Sequence, residues 1–216
     1  MVNILLSAAT LLAVAQAAPS GSGSSSSSSS SIKKTQVLAT FDDLTAVPGA
    51  SELSPINTYK GLDYNSFDVL QAGVAGLATG VTPQSSPNTA VNALTNDLTT
   101  GGPSLTTATV KAFDLQYLYF GCVAMSGETV ASIPLECTVA FTAYKVGSDV
   151  PFATVNQQFN PTNAVISKMS KADFGGQYLS EFSGLDRVDI SVVQSAGTST
   201  LTALLIDNVA YATYNY

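Results

Sequence analysis

The chain has 216 residues, with 15 Asp and Glu against 8 Lys and Arg, so its formal net charge is -7. It contains no His and no Trp. Without His, the chain cannot use Ser-His or Cys-His nucleophilic pairs or an HExxH zinc site. Because nucleic acids and anionic membrane surfaces are held by clusters of Lys and Arg, the acidic balance also argues against both as partners.

The N-terminus predicts a secretory signal peptide over residues 1–18. An apolar run that starts at Ile4 ends in the small-residue pattern Ala-Gln-Ala at 15–17, which is typical of a cleavage site. The alternative, a transmembrane anchor, needs about 20 apolar residues, and this run is shorter and contains Ser7 and Thr10. We expect cleavage after Ala17 or Ala18 and an extracellular protein.

Residues 19–34 follow as a Ser-rich tail that includes eight consecutive serines. Such a composition has little apolar surface to bury and predicts a disordered segment. The tail is either an O-glycosylated spacer or an unmodified leader, and composition alone does not distinguish the two.

From residue 35 onward, apolar and polar residues alternate in short runs separated by Gly, Pro, Asn and Ser, which predicts β-strands. The predicted strands cover 35–41, 62–70, 109–121, 135–146, 152–159, 178–182, 187–194 and 201–214. We expect one all-β domain over 35–216, a two-sheet antiparallel β-sandwich of the jelly-roll type with one short helix. The helix is predicted over 162–174, where Thr162 would cap an apolar stripe of Val165, Ile166 and Met169.

The stretch 71–107 is rich in Gly, Thr, Asn and Pro. Since long structureless loops are uncommon inside a compact domain, we expect weak strands near 73–81 and 90–94, with a binding loop as the alternative. In the predicted strand 109–121, strict alternation places Phe113, Leu115, Tyr117 and Tyr119 on one face. The opposite face carries apolar residues too, so this strand is expected to be central.

The chain has two cysteines, Cys122 and Cys137, on either side of a segment that contains Gly127 and Pro134. In a secreted chain, this predicts one structural disulfide that closes a β-hairpin loop. A reactive thiol would need a basic neighbour that lowers its pKa, and the adjacent Glu136 has the wrong charge.

Acidic residues interrupt two of the apolar strands. Asp42 and Asp43 close the first predicted strand, and Asp207 lies inside the last, in the sequence Leu-Leu-Ile-Asp-Asn-Val. A carboxylate in such an apolar strand needs a cation, hydrogen-bond donors or a raised pKa. If the first and last strands are neighbours, Asp42 or Asp43 and Asp207 could converge with loop carbonyl oxygens around Ca²⁺. Alternatively, Asp207 accepts backbone hydrogen bonds at a strand bend or faces solvent.

Several short motifs together resemble a known group of proteins. They are Phe-Asp-Asp at 41–43, Tyr-Lys-Gly-Leu-Asp-Tyr at 59–64, Phe-Asp-Leu at 113–115, Phe-Ser-Gly-Leu-Asp-Arg-Val at 182–188 and Ile-Asp-Asn-Val at 206–209. In this order they resemble fungal secreted jelly-roll proteins, which are similar in outline to carbohydrate-binding modules. The resemblance implies a structural calcium held by Asp42 or Asp43 and Asp207. It also implies a sugar-binding face that, without Trp, must be built from Tyr59, Tyr64, Tyr117 and Tyr119.

The sequence therefore predicts a secreted, non-catalytic module associated with cell-wall polysaccharide or another glycan. A fungal effector or elicitor that contacts a host protein is the first alternative, and its mark would be a contiguous exposed apolar patch. A carbohydrate-active enzyme is a weaker alternative, because pairs such as Asp186 and Asp189 are more typical of solvated strand ends than of catalytic carboxylates. Its mark would be a cleft with two close carboxylates, one of them buried.

Overall fold

The computed structural model describes residues 33–46, 53–71, 80–92, 102–126, 129–195 and 202–215. Apart from one 3-10 helix, the regular secondary structure of this part consists of β-strands, which confirms the all-β prediction. Within these ranges no helix has the length and apolar character that crossing a bilayer requires. The predicted signal peptide and all but the last two residues of the predicted tail lie outside the described residues.

Fourteen strands and one 3-10 helix are described. The strands are β1 (Lys33–Ala39), β2 (Ser54–Tyr59), β3 (Leu62–Gln71), β4 (Val81–Thr82), β5 (Asn88–Asn92), β6 (Ser104–Thr107), β7 (Ala112–Ser126), β8 (Thr129–Pro134), β9 (Cys137–Lys145), β10 (Ala153–Phe159), β11 (Ser167–Lys168), β12 (Ser170–Asp173), β13 (Leu185–Ser195) and β14 (Thr202–Asn215). The 3-10 helix covers Gly176–Tyr178.

Six strands form a closed ring in the order β13, β6, β3, β5, β14 and β7. The ring is closed by one antiparallel residue pair between β13 and β7, Leu185 with Phe113. Strands β9 and β10 extend outward from β13, while β12 and β8 pair with β7, β1 with β14 and β2 with β3. A separate two-stranded parallel sheet joins β4 to β11.

This closed ring differs from the predicted pair of separate sheets. The difference arises because β13 and β7 meet at Leu185 and Phe113, which joins the two ends of the strand order. Within the ring, residues 204–206 of β14 pair with β5, whereas 209–215 pair with β1 outside it. Strand β7 lies along the other side of β14 for most of its length. Because β14 pairs with both β5 and β7, it joins strands that a two-sheet sandwich would place in different sheets.

The helix predicted over 162–174 is wrong. Asn163 Oδ1 accepts a 2.8 Å hydrogen bond from Val165 N in a local turn, and strand β12 then pairs with β7. Burial alternates toward the end of this segment, with Ala172 and Phe174 buried and Asp173 exposed between them. The expected apolar stripe does not form, since Val165 is 76% exposed.

Other boundaries also differ from the prediction. Strand β1 begins at Lys33, two residues before the predicted domain start. The strand predicted over 178–182 is wrong, because this segment forms turns after the 3-10 helix. Strands β4 and β5 lie close to the two weak strands expected in 71–107. Most of the other residues of 71–107 lie outside the described residues.

The core of the protein is rich in aromatic side chains. The largest fully buried side chains are Tyr64, Tyr211, Phe41, Phe67, Phe113, Phe120, Phe141, Phe159, Phe174, Phe182, Leu62 and Leu105. Rings of Phe141 and Phe174 lie 5.0 Å apart, centroid to centroid, in an edge-to-face arrangement that aromatic pairs favour.

A β-bulge in β7 decides which tyrosines reach the surface. Leu115 pairs with Tyr211 of β14, but Tyr117 pairs with Ala210, so Gln116 is an extra residue on β7. Leu115 and Leu118 are both buried, whereas Gln116 and Tyr117 are both half-buried. The predicted sharing of one face by Leu115 and Tyr117 is therefore wrong, because the extra residue reverses the alternation.

Candidate functional site

Two of the four predicted sugar-binding tyrosines are buried. Tyr64 is 1% exposed and Tyr59 is 7% exposed. The Tyr64 ring meets Phe41 edge to face, with centroids 5.2 Å apart, and lies 6.1 Å from the Tyr59 ring. These rings belong to the core and offer no face on which a sugar could stack in this conformation.

The other two tyrosines form a pair on the outer face of β7. The rings of Tyr117 and Tyr119 are half-buried, with centroids 6.2 Å apart and planes at 85°. Strand β12 places Asp173 opposite Tyr117 and Lys171 opposite Tyr119. We call these two rings with Lys171 and Asp173 the tyrosine platform.

Charges at the tyrosine platform are internally paired. Lys171 Nζ lies 2.7 Å from Asp173 Oδ2 and 4.6 Å from the centroid of the Tyr117 ring. The hydrogen bond from Lys171, helped by one from Gly175 N, lowers the pKa of Asp173, and the same bond raises the pKa of Lys171. The tyrosine platform therefore combines apolar ring faces with an ammonium and a carboxylate. A ligand with a hydroxylated ring needs both kinds of group, one for packing and one for hydrogen bonds.

Asp207 occupies a different site, in the middle of β14. Its side chain has no exposed surface. Oδ2 accepts a 2.7 Å hydrogen bond from Ser85 N, and Oδ1 accepts one of the same length from Asn208 N. Burial is the main cause that raises the pKa of Asp207 to about 6, and the charge of Asp42 adds to it.

The structure brings Asp42 close to Asp207 and directs Asp43 elsewhere. Asp42 Oδ1 accepts a 3.0 Å hydrogen bond from Asn88 N. The Asp43 carboxylate accepts a hydrogen bond from the Tyr59 hydroxyl, which lowers the pKa of Asp43. In the part of the chain that the structure describes, no three His, Cys, Asp or Glu side chains come together as a metal site.

Polar residues at the start of β5 and just before it hold together the acidic corner, by which we mean Asp42 and Asp207. The Asn88 side chain donates to the carbonyl oxygens of Phe41 and Leu44, at 2.9 and 2.7 Å. Ser85 Oγ donates to Asn208 Oδ1 at 2.8 Å. Sequence reasoning missed Ser85 and Asn88, because a polar Ser-Ser-Pro-Asn segment carries no sign of which distant strand it contacts.

An acidic pair with one buried member would be the mark of a glycosidase, but its geometry does not suit catalysis. A general acid must reach the glycosidic oxygen within hydrogen-bond distance. Both oxygens of Asp207 already accept backbone N–H groups, and the side chain is fully buried. Asp207 therefore does not contact a substrate in this conformation.

The predicted disulfide is confirmed, and its structural role differs from the expected one. Cys122 and Cys137 are bonded, with Cα atoms 6.2 Å apart. Strand β8 lies between them in sequence and pairs with β7. Among the described strands, β9 pairs only with β10 and β13, so the disulfide joins two strands that are not paired with each other in the sheet.

A polar cluster on the outer face of β9 and β13 was missed by sequence reasoning. The Arg187 guanidinium carbon lies 3.7 Å from the centroid of the Tyr144 ring. Arg187 Nε is 3.1 Å from Asp189 Oδ1, and Nη1 is 4.0 Å from Asp149 Oδ1. Arg187 and Asp189 alternate with the buried Val188 and Ile190, but Tyr144 comes from a strand whose pairing the sequence does not specify.

No protein-family model matches the chain, and no curated protein matches it. The resemblance to fungal secreted jelly-roll proteins therefore stays a prediction from short motifs.

Proposed function

We propose that the protein is a secreted, non-catalytic module that associates with cell-wall polysaccharide or another glycan. The observation that carries this proposal is the outward-facing pair of Tyr117 and Tyr119 on β7. Sugar rings present apolar C–H faces and hydroxyl edges, which match an aromatic ring flanked by hydrogen-bonding groups. Secretion is proposed from the N-terminal sequence alone.

Neighbouring polar side chains support the same proposal. Gln116 Nε2 donates a 2.8 Å hydrogen bond to Gln36 Oε1 on β1, beside the platform. Lys171 and Asp173 supply a donor and an acceptor next to Tyr117. A glycan that stacks on the rings would find hydroxyl partners on both sides.

Depletion of the protein by insoluble chitin, β-glucan and cellulose tests the proposal. We expect wild-type protein to bind at least one polymer and the variant Y117A/Y119A to lose binding by about tenfold or more. The matched control is F152A, which removes another exposed aromatic ring, 57% exposed, outside the platform. If wild-type protein stays in solution with all three polymers, the proposal is wrong.

We also propose that the fold derives from a two-layer jelly roll. The ring is closed by the single pair of Leu185 and Phe113. All pairings within the ring are antiparallel, as a jelly roll requires. Without this one pair, the strand order would describe an open, strongly curved sheet.

Calcium is proposed as a structural ligand at the acidic corner, with Asp42 and Asp207 as its carboxylates. The Asn208 side-chain oxygen adds a third hard donor nearby, since both it and Asp207 contact Ser85. An increase of the melting temperature with CaCl2, reversed by EDTA and absent in D42N, would support this site. An unchanged melting temperature on addition of CaCl2 would show that the proposed calcium site is wrong.

A second function, contact with a host protein, is favoured by an exposed apolar region. Its residues, from the β9–β10 loop and the turn after the 3-10 helix, are Val146 (55% exposed), Val150 (71%), Phe152 (57%) and Leu179 (53%). Lys145 Nζ links the two segments: it lies 4.4 Å from the Phe152 ring centroid and donates to Ser180 O at 2.8 Å. If host-protein binding carries the function, V150S/F152S should abolish it and Y117A/Y119A should preserve it.

A further inference from the structure

We propose that the outer face of β13 and its neighbours is a second binding surface, centred on Arg187 and selective for neutral, hydroxyl-rich polymers. The inference rests on the proposed function, because it assumes that the protein binds glycans. It uses other strands than the tyrosine platform, so the two surfaces can be tested separately.

Arg187 is the only arginine of the chain, and its guanidinium is held flat on an aromatic ring. The Tyr144 ring beneath it belongs to a residue that is only 9% exposed, whereas the Arg187 side chain is 33% exposed. Stacking of this kind orders the guanidinium before a ligand arrives, so less conformational entropy is lost on binding. One face of the group is covered by Tyr144, and the solvent side is left for a ligand.

Two carboxylates flank the guanidinium and set the charge of the surface. The Asp189 side chain is 42% exposed, and that of Asp149 is fully exposed. Two negative charges around one positive charge repel an anionic ligand. A neutral polyol avoids this repulsion, because its hydroxyls can donate to the carboxylates and accept from the guanidinium.

A row of polar side chains continues from this centre across five strands. Thr154 of β10 lies opposite Thr142 of β9, which lies opposite Asp189 of β13. The row continues through Ser104 of β6, which is 9% exposed, to Asn65 of β3. The Thr142 and Thr154 hydroxyl oxygens are 3.1 Å apart, as are Asn65 Nδ2 and Ser104 Oγ. With about 4.8 Å between strands, the row spans about 19 Å, which suits an extended chain that crosses the strands.

Affinity electrophoresis in gels that contain a soluble polymer tests the inference. The neutral polymers are hydroxyethyl cellulose, laminarin and glycol chitin, and carboxymethyl cellulose is the anionic counterpart of the first. We expect retardation of the wild-type protein by at least one neutral polymer and none by carboxymethyl cellulose. R187Q should weaken the neutral interaction about tenfold, because a charged hydrogen-bonding group is lost. The control K168Q, at an exposed lysine of β11, should bind like wild type.

Two further variants test the surface independently of Arg187. T154V changes an exposed residue at one end of the row and should weaken binding severalfold even if R187Q does not fold. D149N/D189N should keep neutral binding and gain retardation by carboxymethyl cellulose, since the repelling charges are gone.

The outcomes separate this inference from the proposed function. If R187Q and T154V bind like wild type while Y117A/Y119A does not, the second surface is wrong and the proposed function stands. If no neutral polymer retards the wild-type protein, both are wrong. Equal retardation by carboxymethyl and hydroxyethyl cellulose would overturn the charge selection.

Discussion

Ser85 N donates a 2.7 Å hydrogen bond to Asp207 Oδ2, and this bond joins the segment before β5 to the middle of β14. Asn208 N occupies the other carboxyl oxygen. These two donors stabilise the carboxylate, but burial and the charge of Asp42 act more strongly in the opposite direction. Protonation of Asp207 is therefore coupled to folding.

The stability of the wild-type protein should depend on pH between 4 and 7. The pKa of Asp207 is about 6 in the folded protein against a usual value of 3.8, so the folded state binds this proton more tightly than the unfolded state. The free energy of unfolding should therefore rise as pH falls through 6, level off near 4, and gain up to about 3 kcal/mol from this group. Urea denaturation at successive pH values measures this gain, and a D207N variant with the same slope would contradict it.

The variant D42N is expected to shift the pH range over which the free energy of unfolding rises. Removal of the Asp42 charge lowers the pKa of Asp207, so the rise in stability should occur at lower pH and stability at pH 7 should increase. Asn at this position can still accept the hydrogen bond from Asn88 N. D43N is the matched control, because Asp43 contacts Tyr59 instead and its substitution should leave the window near pH 6 unchanged.

Removal of the disulfide should destabilise the protein without changing its fold. Cys122 and Cys137 are 15 residues apart, and a loop of this size contributes about 3 kcal/mol in the chain-entropy model. We expect the free energy of unfolding of the variant C122A/C137A to be lower by this amount, so that the variant unfolds at a lower urea concentration. Wild-type protein treated with reductant is the parallel sample, and equal stability of all three samples would refute the prediction.

Gly121 should not tolerate a side chain, because a Cβ atom there would lie 2.7 Å from Val81 Cγ1 and 3.5 Å from Phe159 Cε2. G121A should cost about 1–3 kcal/mol through overpacking. The double variant G121A/V81A removes the closest atom, so its loss of stability should be smaller than the sum of the two single losses. Strictly additive losses in thermal or urea denaturation would show that this contact is relaxed in solution.

Lys145 should stabilise the turn that follows the 3-10 helix. Its Nζ donates to the carbonyl oxygens of Ser180, Glu181 and Ser183 at 2.8, 3.1 and 2.5 Å. K145M leaves these acceptors without their charged donor and should cost about 2 kcal/mol. Faster amide hydrogen exchange at Phe182, with no such change in the control K168M, is the expected local signature.

Alternation and composition were sufficient to predict most of the strands. Leu185–Ser195 and Thr202–Asn215 lie close to their predicted positions, because one face of each strand must be apolar to bury against the core. The segment 162–174 was predicted wrongly because its apolar residues satisfy a helical spacing as well. Pairing of β12 with β7 decided between the two, and that pairing is a long-range interaction.

The candidate site residues were also predicted only in part from the sequence. Asp207 was singled out because a carboxylate between Ile206 and Asn208 in an apolar strand requires compensation, and the structure supplies it from Ser85. Tyr64 and Tyr117 could not be distinguished, since a tyrosine in an alternating strand suits either face.

By itself, the sequence determined the all-β class and the disulfide, because these follow from local alternation and cysteine count. It also marked Asp207 as a carboxylate that needs compensation if it is buried. Only the tertiary structure decided the closed ring, the partners of Asp207 and the exposure of each tyrosine. The reason is physical: strand register and a single extra residue at Gln116 reverse which side chains face solvent, and both depend on partners far away in the chain.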